Sequence, residues 1–175
     1  SPNSYPNLTT QEGGEFFNVF YEFGIPAVCV NRSTSSSQSV GECESATNAL
    51  LKENAEVNVG GQVVINPATR TATITVEAYY TADSKESSNY LTVMMLQDSI
   101  LGYQNGASSN PAQVINGNYC HMHILRDIIT PTWGDEFSPT TAGTLVTKSY
   151  VYEIPEVIGA TNGVEVELDN IEFIA

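Results

Sequence analysis

The spacing of apolar residues changes near residue 56. Ahead of that point it is helical. Thr9 or Thr10, then Glu12, then Phe16, Phe17, Val19 and Phe20 make a capped amphipathic stretch that should stop near Gly24, because apolar residues three or four apart put one greasy stripe on a helix. Residues 25–30 form a short β-rich run interrupted by Pro26, whose missing N–H suits an edge rather than a central strand. A Ser/Thr-rich connector over residues 33–39 leads to a second helical stretch over residues 42–54.

Beyond Ala55 the period becomes 2. Val57, Val59, Val63 and Ile65 alternate with polar residues around Gly60-Gly61, a pair that predicts a bulge or bend, and Asn66-Pro67-Ala68-Thr69 predicts a turn. Residues 71–81 alternate again, with Ala72, Ile74, Val76 and Ala78 on one face and Thr73, Thr75 and Glu77 on the other. Further strands are predicted at residues 90–96, 119–128, 145–152, 164–168 and 171–175. Seven strands with no helices between them predict antiparallel pairing, because parallel pairing needs crossovers that this stretch lacks. The expected fold is mainly β, an antiparallel β-sandwich of the immunoglobulin-like or jelly-roll-like kind over residues 56–175, preceded by a separate α/β unit over residues 1–55. A membrane barrel fits poorly, since the outward positions of the first hairpin carry Thr and Glu where lipid-facing apolar residues would stand.

Charge narrows the function. The chain of 175 residues has 20 acidic and 6 basic residues, a formal net charge of -14. The basic residues are scattered singly from Arg32 to Lys148, so no cluster exists to displace phosphate counterions, and a nucleic-acid partner is not expected. The same sparsity argues against a polybasic lipid-binding patch, and no run approaches the length of a spanning helix. Cys29, Cys43 and Cys120 are too few and too unevenly spaced for a disulfide framework or a zinc ribbon; a Cys29–Cys43 bridge is the one candidate pairing. The start at Ser1 and the strand-like end at Ala175 lead us to expect a trimmed piece of a longer precursor.

Three stretches together point further. The run NYCHMHILRD at residues 118–127, the Thr132-Trp133-Gly134 that follows, and the closing VELDNIEFIA resemble the outer-membrane lipoprotein family of Bacteroidetes named for a 28-kilodalton outer-membrane protein. His121, His123, Arg126, Trp133 and Gly134 match that family's pattern in its C-terminal β-domain. The resemblance implies a thioredoxin-like domain ahead of the β-domain, with Phe23-Gly24-Ile25-Pro26 as the start of a thioredoxin strand and residues 42–54 as its last helix. The chain has no CxxC motif, so residues 1–55 would be a C-terminal remnant without redox chemistry of their own. A half unit exposes the face its missing strands should cover, and residues 1–55 are therefore expected to lean on the β-domain or on a second copy of the chain.

Candidate chemistry is thin. On a regular strand His121 and His123 share a face, where two imidazoles could chelate zinc, copper or nickel, although Asp127 is the only further ligand on that face. By parity Arg126 falls on the apolar face and needs a partner, for which Asp135, Glu136 or the ring of Trp133 is expected. The acidic groups Asp83/Glu86, Asp135/Glu136 and Glu165/Glu167/Asp169 follow no calcium-loop pattern. Neither a GxSxG nucleophile motif nor a phosphate loop is present. Asp98-Ser99-Ile100 resembles the signal on which exported proteins of this bacterial group are O-glycosylated, making Ser99 a candidate modification site. The reading is a cell-envelope, outer-membrane-associated lipoprotein fragment held by a lipid anchor that this chain lacks. It would be a non-catalytic binding or adhesion module for a protein or glycan at the cell surface, with no cofactor and with a homodimer in prospect. The alternatives are a thiol-disulfide protein acting through its missing N-terminal half and a metal-dependent hydrolase using His121 and His123.

Overall fold

The computed structural model of the chain describes residues 5–20, 28–31, 37–38, 40–159 and 161–175. Pro26 and the rest of the presumed thioredoxin strand start lie outside them. Helix α1 spans Gln11–Phe20. Its first turn is capped as expected, with the Thr10 hydroxyl oxygen accepting from Gly13 N–H at 2.9 Å. The short strands β1 (Val28–Cys29) and β2 (Ser37–Gln38) pair antiparallel. A 3₁₀ turn at Val40–Glu42 then runs into α2, Cys43–Leu50. This second helix is shorter than the predicted stretch because residues 51–53 leave it as a turn.

The rest is mainly β and antiparallel. In chain order the strands are β3 (Val57–Asn66), β4 (Thr71–Tyr80), β5 (Asn89–Leu91), β6 (Met94–Gln97), β7 (Ile100–Gly102), β8 (Val114–Ile115), β9 (Asn118–His121), β10 (Ile124–Ile128), β11 (Asp135–Phe137), β12 (Leu145–Glu153), β13 (Val157–Ile158), β14 (Val164–Glu165) and β15 (Ile171–Ile174). Two three-stranded sheets, β12-β4-β3 and β10-β6-β15, carry most of the structure. Smaller sheets are β7-β9-β8, β5-β11 and β13-β14.

The β4 alternation holds along its whole length. Ala72, Ile74, Val76, Ala78 and Tyr80 are buried while Thr73, Glu77 and Tyr79 are exposed. That buried face meets Leu91, Val93 and Met95 in a single core closed by Ile154 and Val166, so β4 and the β5–β6 region bury their apolar sides against each other. Arg70, in a left-handed turn conformation (φ 50°), fastens the hairpin end to the chain beyond β12. Its guanidinium donates to the carbonyls of Ile154, Pro155 and Val166 at 3.2, 3.0 and 2.7 Å.

Three sequence expectations differ from the structure in instructive ways. Gly60 and Gly61 form no bulge, because β3 pairs with β4 in unbroken register from Val57↔Tyr80 to Asn66↔Thr71. The single strand predicted at residues 90–96 is β5 and β6 in different sheets, joined through Thr92 and Val93, both buried. The strand predicted at residues 119–128 is likewise β9 and β10 in different sheets.

The N-terminal segment lies across the β-region. Tyr5 packs on Tyr103 with ring centroids 4.7 Å apart, Asn7 N–H donates to Asn162 O at 2.9 Å, and Phe16 and Phe20 of α1 meet Trp133 at 5.5 and 6.2 Å. No helix among the described residues is long and apolar enough to cross a membrane.

Candidate functional site

The two-strand ribbon of β6–β7 and β9–β10 passes from one sheet to another at a joint formed by Asp98-Ser99 opposite Met122-His123. Gln97 still pairs with Ile124 on one side of the joint and Ile100 with His121 on the other. Ser99 and His123 both adopt left-handed backbone conformations (φ 63° and 54°), which side chains other than glycine adopt only where surrounding structure holds them there. Here His123 N–H donates to Asp98 Oδ1 at 2.6 Å, Ser99 N–H to Met122 Sδ at 3.4 Å, and Asp98 N–H to Asn170 O at 2.8 Å.

That turn separates the two histidines. His121 is buried, its ring 5.1 Å from that of Tyr119, and its Nε2 has no protein partner. His123 is exposed, because the left-handed residue breaks the alternation that would have put the two imidazoles side by side. It stands instead between two carboxylates, with Nδ1 3.8 Å from Asp98 Oδ1 and Nε2 3.6 Å from Glu172 Oε1. One ligand atom from each of the three residues lies within 4.8 Å of the others. A tetrahedral zinc site, with bonds near 2.0–2.1 Å, needs donors about 3.3 Å apart, so small side-chain rotations would bring this N/O set around a borderline-soft divalent cation.

Arg126 is the extra residue of a β-bulge, since the β10–β6 register slips between Leu125 and Asp127. It is 2 % exposed, on the apolar side as expected, but its partners are not the expected ones. The Nη2 group donates to the carbonyls of Ile158 and Val164 at 3.3 and 3.0 Å, binding the β13–β14 hairpin to the sheet. Burial pulls its pKa below the ordinary value. Asp135 is engaged elsewhere, accepting from Lys148 Nζ at 3.1 Å and Tyr150 Oη at 2.9 Å. Trp133 faces α1. Gly134 sits at φ 99°, where an added Cβ would come within 2.7 Å of Tyr90 Cβ, so the Trp-Gly pair is a turn that presents the indole to the helix.

The tyrosines of β12 give the molecule a pH signature. Desolvation first, and then hydrogen bonds to Asp135 and Asp127, push the phenols of Tyr150 and Tyr152 well above their ordinary value of 10.0; the Tyr152–Asp127 contact is 2.5 Å. A phenol kept protonated by the fold contributes stability that is full below its ordinary pKa and lost as pH rises through and above it. The hydrogen bonds from Lys148 and then Tyr150 hold Asp135 below its ordinary 3.8, so its contribution is present above that value and lost as pH falls through the lowered one. The urea midpoint should therefore fall at both extremes. Tyr152→Phe should flatten the alkaline limb and Asp135→Asn the acid limb, read by unfolding at a series of pH values.

A groove of about 460 Å³ opens between β3, the end strand of its sheet, and β15, bordered by Val57, Val59, Tyr80, Leu91, Phe137 and Ile174. A second hollow of about 310 Å³ continues along β3 over Ile74, Val76 and Val93. The sequence reading missed this groove. Its one signal was apolar residues on both faces of β3, where Val59, Val63 and Val64 are all exposed.

The remaining candidate residues are scattered. Ser99 is exposed at the joint, accessible in the way a modified hydroxyl must be. Cys29, Cys43 and Cys120 are thiols, and no disulfide joins Cys29 to Cys43; the Cys43 sulfur lies 4.0 Å from the Thr47 hydroxyl.

The family described as "Outer membrane protein Omp28" matches residues 15–168, and the chain belongs to it, which places it in the cell envelope in association with the outer membrane. No curated protein and no solved structure matches the chain.

Proposed function

We propose that this member of the Omp28 outer-membrane family is a non-catalytic recognition module that holds an extended, apolar segment of a protein ligand in the groove between β3 and β15. In this reading residues 56–175 form a β-sandwich platform. Residues 1–55 are the end of a thioredoxin-like unit, and a lipid anchor ties the whole protein to the membrane. The observation that carries the proposal is the character of this groove. Its lining is almost wholly aliphatic and aromatic side chains, with no carboxylate, imidazole or thiol side chain converging on it. Such a surface can hold a ligand but offers no acid, base or nucleophile to transform one. Apolar lining also favours a peptide over a glycan.

The test is binding of a panel of extended apolar peptides, alongside a glycan array, to the protein and to Ile174→Asp. Ile174 is 46 % exposed at the groove rim, so the fold should tolerate the change. Peptide binding weakened at least about tenfold by the substitution supports the reading. Glycan binding without peptide binding, or peptide binding that survives the substitution, overturns it.

A second reading rests on the Asp98–His123–Glu172 cluster, which shares only His123 with the His121/His123 pair. It is a divalent-cation site on the surface, tested by zinc titration calorimetry with His123→Gln as the variant that should lose the heat. A redox role would require a CxxC motif, and residues 1–175 hold none.

A further inference from the structure

The outer edge of β3, which among the described residues no strand but β4 joins, carries a second inference that does not depend on what the groove holds. The hydrogen bonds around Tyr80 reveal which main-chain groups of β3 are unpaired. Tyr80 N–H donates to Thr144 O and Tyr80 O accepts from Gly143 N–H, both on the β12 side, whereas Thr81 N–H donates to Glu56 O on the β3 side. Because this direction alternates along an antiparallel strand, Thr71, Thr73, Thr75, Glu77 and Tyr79 bond to β3. Their register partners are Asn66, Val64, Gln62, Gly60 and Asn58. The N–H and C=O groups of Val57, Val59, Gly61, Val63 and Ile65 therefore point outward along the sheet edge.

Natural proteins blunt such an edge with charges, proline or a bulge, and the other outer strands of the two large sheets do so. Strand β12 carries Lys148 and Glu153, β15 carries Glu172, and β10 carries Asp127 and a register slip. Strand β3, VNVGGQVVIN, has no charge, no proline and no slip over ten residues. In a chain of net charge -14, it is a neutral seam.

We infer that β3 pairs antiparallel with β3 of a second copy, about a two-fold axis through Gly61, to make a six-stranded sheet across a homodimer. This register is self-complementary. It places Val57 against Ile65, Val59 against Val63 and Gly61 against Gly61, all of them residues whose main-chain groups face outward, so that about ten hydrogen bonds form. The side chains of those residues share one face, the apolar side over the core, and the two grooves become one trough. Glu56, the nearest acid along the strand itself, falls opposite Asn66 of the other copy, and Glu77 lies beside Gly60 one strand in from the seam, so no two carboxylates meet. Net repulsion between the copies still acts at longer range. Association should therefore tighten as added salt shortens the Debye length from about 30 Å at 0.01 M to about 8 Å at 0.15 M.

Sedimentation equilibrium across protein concentration at low and high salt tests this directly, the expected dimer having twice the chain mass of 18.9 kDa. Val63→Pro removes an outward N–H without touching the β3–β4 bonds and should raise the dissociation constant about tenfold or more. Val59→Lys, at a position already 49 % exposed, puts a charge into the seam and decides the matter if the proline variant fails to fold. In the doubly substituted Gly60→Cys/Gln62→Cys protein, residue 60 of one copy lies opposite residue 62 of the other at a non-hydrogen-bonded position, and oxidation should link the copies covalently. A monomer at every concentration and salt overturns the inference. So does a dimer that ignores both Val63→Pro and Val59→Lys, or one that the paired cysteines fail to link.

Discussion

Gly134→Val is expected to destabilise the protein by about 3–5 kcal/mol, combining backbone strain with overpacking against a main chain that cannot retreat. The residue sits at φ 99°, and a Cβ there would meet Tyr90 Cβ at 2.7 Å and Leu91 O at 3.2 Å. Tyr90 and Leu91 belong to β5, which pairs with β11 directly after the glycine, so yielding would break that ladder. Trp133 is the chain's one tryptophan and lies against Phe16 and Phe20. The substitution should therefore also shift its emission to the red as α1 loses its seat. Thermal unfolding followed by tryptophan fluorescence reads both effects. A native-like melting temperature with unshifted emission would show that neither the turn nor the helix docking depends on the glycine.

Ile74→Ala should cost about 3 kcal/mol, within the range for deleting buried aliphatic volume. For a chain of this size that lowers the melting temperature by about 6–12 °C. Ile74 is 2 % exposed and sits at the centre of β4, in the core with Val76, Val93 and Met95. Thr73→Ala, one residue away on the exposed face, should change stability by no more than about 0.5 kcal/mol. Calorimetry on the two variants measures the two-sidedness of the strand, and equal losses would mean that β4 is not half-buried.

Strand β4 shows how much could be read without coordinates. Alternation of period 2 is a local property that survives into the fold whenever one side of a strand is covered and the other is wet. Arg126 was legible in part. Its parity located it on the buried side, but its partners, the carbonyls of Ile158 and Val164, are more than thirty residues away and are main-chain groups. Side-chain pattern carries no mark of them. Asp135 was the plausible carboxylate, yet Lys148 and Tyr150 had already claimed it from β12.

The histidines illustrate the opposite case. Their spacing of two implies one face only on a regular strand, and the left-handed conformation at His123 turns the second imidazole away from the first. No proline or glycine announces that turn. Tertiary structure holds it there, through Asp98 and through the demand that one ribbon serve two sheets.

What the order of residues determined by itself is the class of the molecule: a mainly β, antiparallel, acidic chain with a helical front and a family signature in His121, His123, Arg126 and Trp133-Gly134. These follow from periodicity, charge and motif, all of which are local. Only the tertiary structure decided that Trp133 seats α1, that His123 stands between Asp98 and Glu172, and that β3 is left, among the described residues, at a sheet edge with every second residue's main-chain groups facing outward. Each of those depends on which strands become neighbours, and that is settled by core packing between residues far apart in sequence, where no local pattern reaches.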